Sequence, residues 1–258
     1  LMNSLSGIKV RKYVAHRLDQ GIANTTVNKE LSLLSSAIKW CNDQLEWNLP
    51  NPVSGKRLPE EEEEARVLTL TELEKLVVSA THAWSSHTRK YLPEFCILGF
   101  YTGMRPGEML GLEWSRVSFE RKTIELRVQD TKGKSRRLVA LSDGAVDSLL
   151  RLRAVADEFF PDTPWVFTHT KPRYFGSRIQ SVRRVWETAI ARAGIAWATP
   201  HSLRHTSATE AVHAENANVV DIMKRLGHKR LATTLEYLHT ADERAQEEVA
   251  NLQKIVTF

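Results

Sequence analysis

At 258 residues the chain is long enough for one large domain or two unequal ones, each with its own core. Its 42% hydrophobic and 26% charged residues are ordinary for a globular protein, and no apolar run approaches the roughly 20 residues of a membrane span. The formal net charge of +5 favours an anionic partner, and no signal-peptide pattern opens the chain.

In chain order, the first predicted helix covers Ser6 to Gln20 and stops at Gly21, a residue suited to the left-handed position after a helix. A second helix begins near Thr25 and Thr26 as N-cap candidates, with Glu30 placed to bond back. Val27, Leu31, Leu34 and Ile38 follow at helical spacing, and the helix ends before Asn48 and Pro50. Two helices bury too little surface for a comfortable domain, so residues 1–57 read as the latter part of a larger helical module. Pro52, Pro59 and the run Glu60 to Glu64 break all periodicity and mark residues 58–66 as a linker.

Residues 67–258 read as one α+β domain, mainly helical with a small antiparallel sheet. Thr71 is a cap candidate for a helix carrying Leu73 and Leu76 to Val78, and another helix runs from Leu92 to Tyr101 and ends at Gly103. Short β-like runs follow at Arg116–Phe119, Thr123–Val128 and Arg136–Leu141, with a turn at Lys132-Gly133. From Ser142 the chain is mostly helical apart from Trp165–Thr168.

Charge is unevenly spread. Residues 1–64 hold eight Lys/Arg against nine Asp/Glu, five of the acids being the glutamate run, whereas residues 65–258 hold 28 against 22. Cys41 and Cys96 are too few for a disulfide framework, which makes a reducing cytoplasm the default. Neither zinc-like Cys/His spacing nor a Gly-rich phosphate loop occurs, so metal and nucleotide cofactors are not supported.

The chemistry concentrates in separated boxes. Tyr101-Thr-Gly-Met-Arg105-Pro-Gly-Glu108 places an arginine just before a proline that opens a helix, near an N-terminus that favours anions. Glu108, one turn on, is placed to orient that guanidinium. Asp130-Thr-Lys132-Gly-Lys134 is a basic hairpin tip. His201-Ser-Leu-Arg204-His205-Thr, Leu226-Gly227-His228 and Thr233-Thr-Leu-Glu-Tyr237 then bring imidazoles, a second guanidinium and a phenol into one short segment. Taken alone, each such residue reads as packing, capping or a solvated tip. Together they suit a reaction in which a tyrosine attacks a phosphodiester while fixed cations hold the charge that develops.

In this order and combination the motifs resemble those of the tyrosine recombinases of the phage integrase family, over residues 66–245. The resemblance implies a tyrosine recombinase catalytic domain preceded by part of a helical core-binding domain. It matches Arg105 and Arg204 to the two catalytic arginines, Lys132 to the hairpin lysine that protonates the departing 5′ oxygen, and Tyr237 to the nucleophile. His201 matches the first histidine of its box and is the candidate acceptor of the phenol proton, and His228 the Leu-Gly-His position. Glu108 supports the first arginine. His205 is read as structural, facing the interior or supporting Arg204. Lys134 stays open as the alternative hairpin lysine, because the hairpin is slightly shorter than the commonest family form. Ala140 and Ser202 depart from the common Pro and Asp without touching the chemistry.

The activity so implied is ATP-independent, site-specific DNA breaking and rejoining through a 3′-phosphotyrosyl link. It would need no cofactor, with double-stranded DNA as partner, four protomers on two duplexes, DNA-bending accessory proteins where required, and no membrane. A type IB topoisomerase or telomere resolvase shares this chemistry, and a non-catalytic DNA-binding protein could retain the fold. Val249, Leu252 and Ile255 in the segment from Ala241 to Phe258 fit a helix that docks on a neighbour or on its own domain.

Overall fold

The computed structural model describes residues 5–60, 66–82, 91–131, 135–170, 172–214, 217–235 and 237. The chain divides into two compact units, residues 1–63 and 64–258.

In the first unit, helix α1 (Gly7–Asp19) starts where the Ser6 hydroxyl accepts the Lys9 N–H at 3.4 Å. Helix α2 (Asn24–Leu45) has Ala23 at its N-cap with no side-chain cap bond, so the expected caps Thr25 and Thr26 fall inside its first turn. Glu30 does not close a capping box. It takes two bonds from Arg17, at 2.6 and 3.1 Å, and one from the Tyr13 hydroxyl at 2.8 Å. A charged donor fork outcompetes a backbone N–H for a carboxylate. Val10, Val27, Leu31 and Val53 form the small core of this unit.

Residues 58–60, read from sequence as the start of a linker, are held by α2. The buried Asn28 side chain accepts the Leu58 N–H at 2.9 Å and donates to the Leu58 carbonyl at 2.9 Å and to Glu60 at 2.6 Å. Asn24 donates to the Pro59 carbonyl at 2.8 Å. Residues 61–65, with most of the acidic run, lie outside the described residues.

The second unit begins with α3 (Leu70–Thr81), capped by Thr69 instead of Thr71. The Thr69 hydroxyl accepts the Glu72 N–H at 3.1 Å, and the Glu72 carboxylate accepts the Thr69 N–H at 2.9 Å. Leu68 before the cap and Leu73 in the helix both enter the core, the hydrophobic staple that sets the entry point. Helix α4 (Leu92–Thr102) follows, then the short α5 (Pro106–Leu110).

The sheet has order β1 (Val117–Ser118), β2 (Thr123–Leu126), β3 (Arg137–Ala140), all antiparallel. Ile124 pairs with both Val117 and Val139, and Leu126 pairs with Arg137. The strands are shorter than the sequence pattern, since Val128–Asp130 closes into a 3₁₀ turn. Helices α6 (Asp143–Phe159), α7 (Arg183–Ala193), α8 (Pro200–His213) and α9 (Val219–Leu226) complete the described α-helices. In place of a strand at Trp165–Thr168 there are two single bridges, Glu113 with Trp165 and Thr168 with Arg178.

Helix α4 carries buried residues around most of its circumference, among them Leu92, Phe95, Cys96, Leu98 and Thr102, and packs against α3, α6 and α8. Phe95 meets Phe167 and Trp186 edge-on at 5.6 and 6.5 Å. Each such fully buried apolar side chain contributes roughly 1.5–3 kcal/mol. This core fixes the C-terminal end of α4 beside α8, so the Arg105 box and the Arg204 box meet. The architecture is mainly α with a three-stranded antiparallel sheet, as the sequence implied.

Candidate active site

The site is built outward from α8. Thr199 caps this helix, its N–H donating to the Ser202 hydroxyl at 3.0 Å, and Pro200 takes the first helical position. Ser202 therefore serves as a buried capping partner. His201, Arg204 and His205 stand at i, i+3 and i+4 and share one side of the helix.

Arg204 is 5% exposed. Its Nη1 donates to the Gly103 carbonyl at 2.8 Å and its Nη2 to the Leu226 carbonyl at 2.7 Å. One guanidinium thus ties together the ends of α4, α8 and α9. Burial, and next the charge of Arg105, bring its pKa down to about 10, which still leaves it cationic at neutral pH.

Arg105 has extended backbone angles, φ −67° and ψ 146°, as the following proline demands. Its backbone N–H donates to Glu108 Oε2 at 2.9 Å and its Nη1 to Glu108 Oε1 at 3.0 Å. Glu108 also receives Arg137, through Nη2 at 2.7 Å and Nη1 at 3.2 Å. Burial alone would raise the Glu108 pKa. The hydrogen bonds and charge of Arg137, then the bonds from Arg105, outweigh it and hold the carboxyl below its ordinary value.

Arg137 is the member of this cluster that motif reading passed over. The available signal was strand alternation: Arg137 and Val139 share the inward face of β3, while Leu138 and Ala140 point out.

Helix α9 ends at Gly227, φ +70°, whose N–H donates to the Met223 and Lys224 carbonyls, while the His228 N–H donates to Met223 at 3.0 Å. This left-handed stop turns His228 into the site. A Cβ at Gly227 would come within 2.8 Å of Arg137 Nη1, so glycine is required for space as well as for φ. The His228 Nδ1 lies 2.9 Å from the Thr234 hydroxyl. Burial, then the charges of Arg204, Arg105 and Arg137, push the His228 pKa down to about 4, so the ring is neutral at pH 7.

Tyr237 is 7% exposed and packs with Ala208, Ile222 and Leu226. Its ring lies parallel to that of His228, 9° between planes and 6.0 Å between centroids. Its hydroxyl lies 3.1 Å from His205 Nδ1. His205, read from sequence as a structural support, thus meets the phenol, because its position on α8, one residue past Arg204, is turned toward the 226–237 segment. Burial, then His201 and Arg204, lower the His205 pKa.

The structure thus brings Arg105, Glu108, Arg204, His205, His228 and Tyr237 together. His201, exposed on the first turn of α8, lines a neighbouring cleft of about 520 Å³ with Pro106, Gly107 and Trp197. Lys132 and Lys134 lie outside the described residues, as does the segment from Ala241 to Phe258. Two guanidiniums, on Arg105 and Arg137, pair with one carboxylate, Glu108, and the buried Arg204 guanidinium, held by the Gly103 and Leu226 carbonyls, adds a third cation. An excess of fixed cations that stay charged at any working pH suits a bound phosphate.

The sequence matches the phage integrase family over residues 66–244. The chain belongs to that family. It is 30% identical over 168 residues to tyrosine recombinase XerC of Corynebacterium glutamicum, covering 64% of this chain and 53% of that protein. It is 26% identical over 263 residues to tyrosine recombinase XerD of Rhizobium meliloti, covering 97% of this chain and 81% of that protein. The chain therefore spans about half the length of the Corynebacterium relative. Its fold is similar to that of a XerH site-specific recombinase bound to a palindromic difH substrate, with a TM-score of 0.75 at 22% identity over 97% of this chain and 73% of that one.

Proposed function

We propose that this family member is a site-specific DNA recombinase in which Tyr237 breaks and rejoins phosphodiester bonds. The observation that carries this reading is the place of the Tyr237 phenol, 3.1 Å from His205 and parallel to the His228 ring, on the side of α8 that also bears the buried Arg204 guanidinium. The relatives named as tyrosine recombinases support the same assignment.

The chemistry follows from the groups present. Arg105 and Arg204 contact the nonbridging oxygens of the scissile phosphate, and His228 donates a third hydrogen bond. Such preorganised donors typically contribute about 10²–10³ in rate each. Tyr237 attacks phosphorus, forming a 3′-phosphotyrosyl bond as the bond to the 5′ oxygen breaks. The phenol proton passes to an imidazole, His205 in contact with it or His201 one turn earlier on α8. The leaving 5′ oxygen takes its proton from the hairpin lysine, Lys132. The released 5′ hydroxyl of a partner strand then reverses the step, so bond energy is kept without ATP. Exchange between two duplexes needs four active sites, hence a tetramer on DNA.

The test uses a pool of duplexes with randomised sequence and a nick beside each candidate phosphate, so that the short 5′ product diffuses away and the covalent adduct accumulates. Adduct recovered under denaturing conditions, sequenced, and absent for Tyr237→Phe is the expected result. Failure of the unmodified protein to capture any duplex at low salt would overturn the enzymatic reading. Relaxation of supercoils without strand exchange between captured sites would overturn the recombinase assignment in favour of a topoisomerase.

A further inference from the structure

Arg137 opens β3 with its side chain 7% exposed. Its three kinds of N–H reach two other elements. Nη2 and Nη1 grip the Glu108 carboxylate on α5, at 2.7 and 3.2 Å, and Nε donates to the Arg225 carbonyl near the end of α9 at 3.1 Å. On the α5 side, the gripped carboxylate is the one that holds both the backbone and the guanidinium of Arg105. On the α9 side, the next carbonyl along, that of Leu226, accepts Arg204. Gly227 follows, close enough that a Cβ there would meet the Arg137 head.

We propose that Arg137 is a positioning residue for strand transfer: it locks β3, the Glu108 carboxylate and the 225–228 turn into one frame, and so sets where Arg105 and His228 stand around the phosphate. This rests on the recombinase reading. A bidentate pair fixes a carboxylate in its own plane. Glu108 held that way gives Arg105 a single side-chain bond, and the Arg105 side chain is 24% exposed. The rest of its fork is left for a phosphate. Without Arg137, the buried carboxylate would have Arg105 as its one remaining guanidinium partner among the described residues. It would close on that guanidinium and neutralise a charge the phosphate needs. The same loss would free the Leu226-Gly227-His228 turn from the strand beside it. Arg137 is thus the link by which the β2–β3 hairpin, whose tip carries the candidate general acid, is registered to the arginine and histidine boxes.

The experiment compares single-turnover adduct formation on a nicked duplex recovered by the selection above, for Arg137→Met, Arg137→Lys, Glu108→Gln and the Met/Gln double variant. DNA affinity and the urea midpoint are measured for each protein. Misplacing catalytic groups by about 1 Å costs roughly 10²-fold in rate, so both Arg137 variants should slow adduct formation by about 10–100-fold. Binding should stay within about threefold, because the lost interaction acts on the transition state and not on uniform binding. Lysine cannot supply the fork, so its charge alone does not rescue the rate. The double variant should be no slower than the slower single variant, since both changes break one frame. Rates within twofold of the parent for Arg137→Met and Arg137→Lys, or effects that multiply in the double variant, would overturn the inference. Should Arg137→Met fail to fold, Arg137→Lys carries the test. Absence of adduct from the unmodified protein overturns the recombinase reading itself, an outcome separate from normal capture by the parent with unimpaired Arg137 variants.

Discussion

The phenol oxygen of Tyr237 lies 3.1 Å from Nδ1 of His205, on the helix that also carries Arg204. The phenol is therefore parked against an imidazole whose pKa is depressed, first by burial and then by His201 and Arg204. A neutral ring can accept the phenol proton, whereas a protonated one cannot.

Cleavage should accordingly lose rate as pH falls below the depressed pKa of His205, which lies under the ordinary value of about 6.5. His205→Gln should lower the plateau and remove that acidic limb, while His201→Gln should keep it. Single-turnover adduct rates between pH 5 and 8 distinguish the two histidines. An acidic limb that persists in His205→Gln and disappears in His201→Gln assigns the proton to His201 instead.

Stability should carry a second pH signature, from His228. Its folded pKa is pushed down to about 4, against about 6.5 in an unfolded chain. The unfolded chain therefore takes up the proton first as pH falls. Stability is complete above pH 6.5, declines between 6.5 and about 4, and loses no more through this group below that. The slope is at most about 1.4 kcal/mol per pH unit, and smaller for a ring that water still reaches. Urea midpoints across this range should flatten in His228→Gln; an unchanged slope would refute the assignment.

Gly227→Ala should be costly for two separable reasons. Its φ of +70° costs a β-carbon about 1–2 kcal/mol. The added atom would also sit 2.8 Å from Arg137 Nη1. Urea unfolding should show a loss of at least that size, and the DNA-cleavage rate should fall further than the stability change accounts for, because the displaced head is the one that holds Glu108. A variant with parental rate and midpoint would contradict both arguments.

The hairpin lysine is open to a chemical test. A leaving group that needs no proton, such as a 5′-bridging sulfur in place of oxygen, removes the need for a general acid. Lys132→Ala should be slow on the oxygen duplex and close to parental on the sulfur duplex, and Lys134→Ala should show no such rescue. The reverse pattern moves the role to Lys134.

Much of the site was legible in the boxes because each is a local device. Arg105 is set by the proline after it, and Gly227 by the left-handed stop that ends α9. Glu108 was legible as a partner of Arg105 because three residues separate them on one helical turn. Its second partner was not, since Arg137 arrives on a different element 29 residues away. Capping was legible in kind and misplaced in position. The hydroxyl-x-x-acid pattern occurs at both Thr69 and Thr71, and burial of Leu68 and Leu73 selects the first. Glu30 left its cap for Arg17, a competitor on another helix.

By itself, the sequence determined the inventory: a basic α+β chain, a phenol, a set of guanidiniums and imidazoles in a fixed order, and glycines at the stops between them. Periodicity and turn chemistry act over a few residues, so these were readable without coordinates. Only the tertiary structure decided which histidine meets Tyr237, which second arginine holds Glu108, and which carbonyls receive Arg204. Those choices depend on how α4, α8, α9 and β3 pack around a shared core, and a hydrogen bond between elements is fixed by that packing, with no spacing along the chain to announce it.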